Sequence, residues 1–194
     1  MVRLAKYTED SFIDSAIQIA AQCGIGAVSM ASIAARAGAP IGSLYYRFDS
    51  RGTVLARAWL KVRADFRAEV TCHWERGETW PAVAALLQWC RAKPAYAGFM
   101  LQADDAPDFG ELASALRAEL EADQAAFDAA FECCLQRMSG GVEDPAHVLR
   151  FVLIGAPVAI VKPYLSQDQA IPPFIDAVLR SSHDAVCGSA SRAR

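Results

Sequence analysis

Apolar side chains return every third or fourth residue through almost the whole of this 194-residue chain, and strict alternation is absent over any useful length. That spacing follows one face of a helix, whereas a half-buried strand needs a period of two. The expected fold class is therefore all-α. Hydrophobic residues make up 54% of the chain and charged residues 21%, enough apolar material for a buried core and too little charge for disorder. The start, MVRLAKYTED, turns acidic where the apolar core of a secretory signal should run. The longest strongly apolar run, residues 151–161, has eleven residues, against roughly 18 for a bilayer span. A cytoplasmic protein with no membrane partner is expected, its six cysteines (Cys23, Cys72, Cys90, Cys133, Cys134 and Cys187) reduced. None stands in a Cys-x-x-Cys spacing, and no metal or other cofactor is implied.

Capping residues divide the pattern. Thr8 caps a first helix with Glu9 and Asp10 in its first turn, where the helix dipole favours acids. Its inward stripe is Phe12, Ala16, Ile19, Ala20 and Cys23, and Gly24 and Gly26 end it. A short second helix opens at Ser29, turns Ile33, Ala34 and Ala37 inward and stops at Gly38. Pro40 is placed at the first position of a third helix, which carries Ile41, Leu44 and Tyr45 and ends near Phe48. A cap at Asp49 or Ser50 then starts a long helix over residues 51–73. Later helices are expected over 80–93 and 95–102. One of about 30 residues should start from a cap at Asp108, the last two covering 145–161 and 172–186. The organisation expected is a domain at 1–52, a larger helical domain at 53–187 and a tail at 188–194.

Charge separates the same two regions. The net charge is −3, yet residues 1–67 carry +4 and the rest −7. A basic end on an acidic body points to an anion-binding module. Two short helices joined through Gly38 and packed on a longer first helix form a helix-turn-helix, whose second member enters the major groove. With Leu44 and Phe48 anchored on Phe12, Ala16 and Ile33, the groups left outside are Ile41, Ser43, Tyr45, Tyr46 and Arg47. The helix starts near Ser29 and Ser50 add backbone N–H groups suited to phosphate.

These residues resemble a known pattern. Ala16, Ala20 and Gly24, then Ile33-Ala34 and Ala37-Gly38, then the run GSLYYRFDSR from Gly42 to Arg51, are similar to the DNA-binding domain of the TetR (tetracycline repressor) family. The resemblance implies base contact for Ser43 next to Gly42, and phosphate contact for Tyr45. It implies base or phosphate contacts for Tyr46 and Arg47, and a phosphate grip for Arg51. Lys6 and Arg3 resemble the family's basic arm. Ala39-Pro40 stands where a serine often opens the recognition helix, Ile41 where a polar residue is frequent, and Gly52 where a glutamate is common. The last exchange weakens the first turn of the fourth helix.

Residues 53–187 resemble the family's ligand-binding and dimerisation domain only in length and helix count. An apolar stretch at 145–161 and the stripe Phe174, Ile175, Val178, Leu179 and Val186 need cover. A second copy is expected there, through Phe151, Ile154, Val158, Phe174 and Val178. Trp74, Trp89, Tyr96, Phe99, Phe127 and Phe131, with His73 and Gln102 as polar members, are candidates for a small-molecule pocket; ordinary core packing is the alternative for each. No nucleophile with a base, metal set or cofactor loop is apparent, so an enzyme is not expected. The implied protein is a homodimeric repressor, two-fold symmetric like a palindromic duplex operator, and released by an unidentified apolar effector. The rivals are an activator of the same family and a redox- or ligand-responsive helical oligomer that binds no DNA.

Overall fold

The computed structural model describes residues 7–101, 108–138 and 144–187, and every regular element among them is helical. In chain order these are α1 (Glu9–Cys23), α2 (Met30–Arg36), α3 (Ile41–Tyr45), α4 (Arg51–Phe66), α5 (Cys72–Glu75), α6 (Thr79–Ala92), α7 (Pro94–Leu101), α8 (Ser114–Arg137), α9 (Pro145–Arg150), α10 (Ala156–Ser166) and α11 (Phe174–Cys187). A π-helical turn, Arg67–Thr71, joins α4 to α5, and another, Phe151–Gly155, joins α9 to α10. Two compact units result. One holds the described residues up to Arg63 and those between Ala95 and Glu121; the other holds Ala64–Pro94 and the described residues from Ala122 onward.

In the first unit, local chemistry sets the helix starts. The Thr8 hydroxyl accepts from the Ser11 N–H at 3.2 Å, while Ser11 Oγ accepts from the Thr8 N–H. Ser29 and Ser32 make the same reciprocal pair at the start of α2. Each such cap is worth about 1 kcal/mol. Ser50, not Asp49, caps α4, its Oγ accepting from the Thr53 N–H at 3.1 Å. Phe12, Ile33, Leu44 and Leu55 are fully buried, and the rings of Phe12 and Phe48 meet edge to face at 6.5 Å. Gly38, at φ +64°, turns the chain between α2 and α3 in a conformation that side chains resist. Helix α7 belongs to this unit: Gly98 abuts Ala21, and the Phe99 ring lies 6.1 Å from that of Trp59.

Gly52 has a packing reason that its place in the sequence does not reveal. A Cβ there would lie 1.8 Å from the Phe109 carbonyl oxygen. Alanine is the better helix former by about 1 kcal/mol, but overpacking costs about 1–3 kcal/mol. Gly52→Ala is expected to lower the melting temperature by several degrees; an unchanged or higher value would show that the carbonyl does not press on α4.

The second unit gathers around α6, whose Ala82, Val83, Leu86, Leu87, Trp89 and Cys90 are buried and which packs against α5, α10 and α11. Arg91 fastens the approach to α11, donating to the carbonyls of Ile171 and Pro172 and pairing with Asp176. The guanidinium holds the Asp176 carboxyl below its ordinary range. An aromatic cluster forms beside α6. Phe66 meets Trp74, Trp89 and Phe127 at 6.4, 5.1 and 6.5 Å, and Trp74 meets Phe127 and Phe131 at 4.9 and 6.3 Å. Arg67 and the buried Asp123 form an ion pair next to it in sequence.

Several boundaries depart from expectation. Pro40 is the cap of α3 rather than its first residue, and α3 ends at Tyr45, three residues early. The helix expected from Asp108 starts at Ser114. Asp108 instead accepts the Gly110 N–H at 2.9 Å, and Gly110 takes φ +65°, so the carboxylate closes a turn rather than capping a helix. The apolar run at 151–161 lies within a continuous 22-residue helical stretch, Pro145–Ser166, that passes through Pro163. By length and composition alone this stretch could cross a bilayer, contrary to the estimate from the run alone. The tail at 188–194 lies outside the described residues.

Candidate nucleic-acid interface

Residues 37–40 separate α2 from α3, and α3 is held by one fully buried side chain, Leu44, with Phe48 just beyond it. Everything else on α3 faces outward or partly so. Ile41 is 46% exposed, Tyr45 54% and Tyr46 87%. Gly42 is exposed and Ser43 partly buried. The Arg47 guanidinium folds back, donating from Nη1 to the Ser43 carbonyl at 3.0 Å and lying 5.9 Å from the Tyr46 ring centre.

Arginines around α3 are oriented by bonds within the unit. Arg51 donates to the carbonyls of Val28 and Ile25 at 2.6 and 2.7 Å, which ties the start of α4 to the turn before α2. Arg36 donates from Nε to Gln18 at 2.9 Å. A guanidinium has five donors, so these bonds leave capacity for phosphate oxygens while fixing where the charge sits. Arg36 was not singled out from the sequence; an exposed cation in the last turn of α2 is the signal that could have found it. Ser29 is exposed at the start of α2, its hydroxyl engaged by Ser32. Lys6 and Arg3 lie outside the described residues.

Residues 12–58, from α1 into α4, match the family described as bacterial regulatory proteins, tetR family. That segment, 47 of the 194 residues, is similar to the family's helix-turn-helix.

Solved structures agree on the fold over nearly the whole regulator. A transcriptional regulator from Rhodococcus sp. Rha1 superposes with a TM-score of 0.69 at 16% identity, covering 94% of this chain and 97% of its own. The fatty acid degradation regulator FadR from Bacillus halodurans gives 0.66 at 17% identity, covering 93% and 98%. SmeT, the repressor of the Stenotrophomonas maltophilia multidrug efflux pump SmeDEF, gives 0.62 at 16%, covering 94% and 90%. No curated protein matches the chain. At these identities the superpositions speak for the fold, and the family match assigns DNA binding to the helix-turn-helix that carries α3.

The other candidate residues of the regulator fall in two places. Trp74, Trp89, Phe127 and Phe131 share the aromatic cluster of the second unit. Nearby in sequence, His73 pairs with Glu78 at 2.7 Å, and its ring holds the Glu78 carboxyl below the usual range. Tyr96 and Phe99 belong to the first unit, where Phe99 is buried on Trp59. Gln102 lies outside the described residues. Phe151, Phe174 and Val178 are 47%, 61% and 48% exposed, and Ile154 and Val158 are partly covered. Burial pushes the Cys134 thiol up to about 11 and Cys90 up to about 12. Reactive cysteines need the opposite shift, so a redox role gains nothing here.

Proposed function

We propose that this regulator is a homodimeric repressor that holds a palindromic operator with one α3 per subunit and releases it when an apolar small molecule occupies the second unit. The observation that carries the reading is the face of α3. Two tyrosines and an isoleucine stand in water on a five-residue helix and its cap, a poor outcome for folding alone and a suitable one for a groove. In the dimer, Phe151, Ile154, Val158, Phe174 and Val178 meet their copies across a two-fold axis, an arrangement that also accounts for the uncovered length of Pro145–Ser166.

The proposed effector site is the cluster of Phe66, Trp74, Trp89, Phe127 and Phe131. Trp89 donates its Nε1–H to Asp65 at 2.7 Å. Trp74 is wholly buried, and its Nε1–H has no partner among the described residues. An unmet buried donor costs about 1–3 kcal/mol, and π-helical turns such as Arg67–Thr71 are frequent at functional sites. Both features favour an effector that is mostly apolar and carries a hydrogen-bond acceptor. His73 stays a candidate ligand contact, as do Tyr96 and Phe99 of the first unit and Gln102, which lies outside the described residues.

Selection of duplexes from a random pool tests the reading. The bound sequences should converge on a palindrome, and the affinity for it should fall by roughly 10³-fold or more between 50 and 200 mM salt. A pool that never converges would overturn it.

A further inference from the structure

We infer that Ile41 reads a thymine methyl group, so that each operator half-site contains an A·T pair recognised by apolar contact. The inference rests on the DNA-binding reading and adds to it what kind of base edge is read. Base edges in the major groove display hydrogen-bonding groups, with one apolar exception, the C5 methyl of thymine. Helix α3 offers that exception a counterpart. Ile41 opens the helix and is 46% exposed. It takes no part in the core, and its branched Cβ does nothing for helix stability.

Its neighbour indicates how near the partner comes. Gly42 lies in an exposed helix, where alanine is the better helix former. An added Cβ there would meet nothing within 4 Å, so the fold supplies no reason for glycine. Close approach of another molecule's surface does. A surface that touches the backbone at Gly42 is within reach of the side chain at Ile41. Arg47 folds back onto the Ser43 carbonyl through Nη1 and keeps its other donors for DNA, which leaves the apolar contact to Ile41.

The test uses the full-length protein and a duplex selected from a random pool, with each thymine replaced in turn, in both half-sites, by deoxyuridine, which lacks only the methyl. At one position the replacement should weaken wild-type binding about fifteenfold, or about fourfold per methyl. In Ile41→Ala the same replacement should matter less than twofold, and in Ile41→Val the sensitivity should return. Gly42→Ala should weaken binding to every duplex while raising the melting temperature. If no replacement weakens wild-type binding beyond twofold, or if Ile41→Ala keeps the full sensitivity, the inference is overturned while the DNA-binding reading stands. If no duplex is selected at all, both fall together.

Discussion

Replacing Tyr46 and Arg47 together by alanine should cost operator affinity at least a hundredfold and leave the fold intact. The Tyr46 side chain is 87% exposed. Among the described residues, Arg47 bonds within its own turn of chain, to Ser43 and over Tyr46. Surface substitutions of this kind change stability by about 0.5 kcal/mol or less. A specific nucleic-acid contact is worth about 1–3 kcal/mol, and in a dimer each substitution is made twice. The circular dichroism spectrum and melting temperature should therefore match wild type while anisotropy titrations lose the complex. The two side chains can be separated by salt. Removing Arg47 should shallow the dependence of log affinity on log salt by about one unit for each phosphate that its guanidinium neutralises. Tyr46→Phe should leave the slope alone and lose only what the hydroxyl contributes. Affinity within threefold of wild type in the double variant would mean that α3 is not the reading element.

The face of α3 is legible in the sequence because its alternatives are few. Once Leu44 and Phe48 are assigned inward, the remaining side chains of so short a helix have nowhere else to go. The caps at Thr8 and Ser29 are legible for a similar reason: a hydroxyl at a helix start has one local use, and the N–H it accepts from lies three residues on. Gly38 likewise announces its turn. What escapes depends on partners distant in sequence. Gly52 reads as a weak helix residue until the Phe109 carbonyl is found against it. Arg51 reads as a phosphate grip, and its second task, holding the Val28 and Ile25 carbonyls, shows only in the fold. Tyr96 and Phe99 look like companions of Trp74 because aromatic identity carries no address, and only tertiary packing assigns α7 to the first unit. At Asp108 the local pattern is ambiguous between a capping box and a turn. Gly110, two residues on, is the cue for the turn.

The second large effect concerns assembly. Phe151→Asp combined with Phe174→Asp should convert the proposed dimer into a folded monomer of 20.9 kDa, as read by sedimentation equilibrium. Both rings are about half exposed in the single chain. The aspartates therefore remain in water there, and the one at position 174, in the first turn of α11, is favoured by the helix dipole. Across a two-fold interface the same change acts four times. Fully burying a phenylalanine is worth about 1.5–3 kcal/mol, so four half-covered rings contribute about 3–6 kcal/mol, before the cost of bringing four carboxylates together is added. Dissociation should accordingly rise by two to four orders of magnitude. Operator binding should collapse with it, since two linked α3 helices gain from effective concentration what a lone helix forgoes. The dependence has a direction that separates it from misfolding: raising the protein concentration should restore part of the DNA affinity of this variant, whereas it cannot rescue the Tyr46 and Arg47 pair, whose dimers are intact. A variant that stays dimeric would move the interface away from α10 and α11, and would require another cover for the apolar face of Pro145–Ser166.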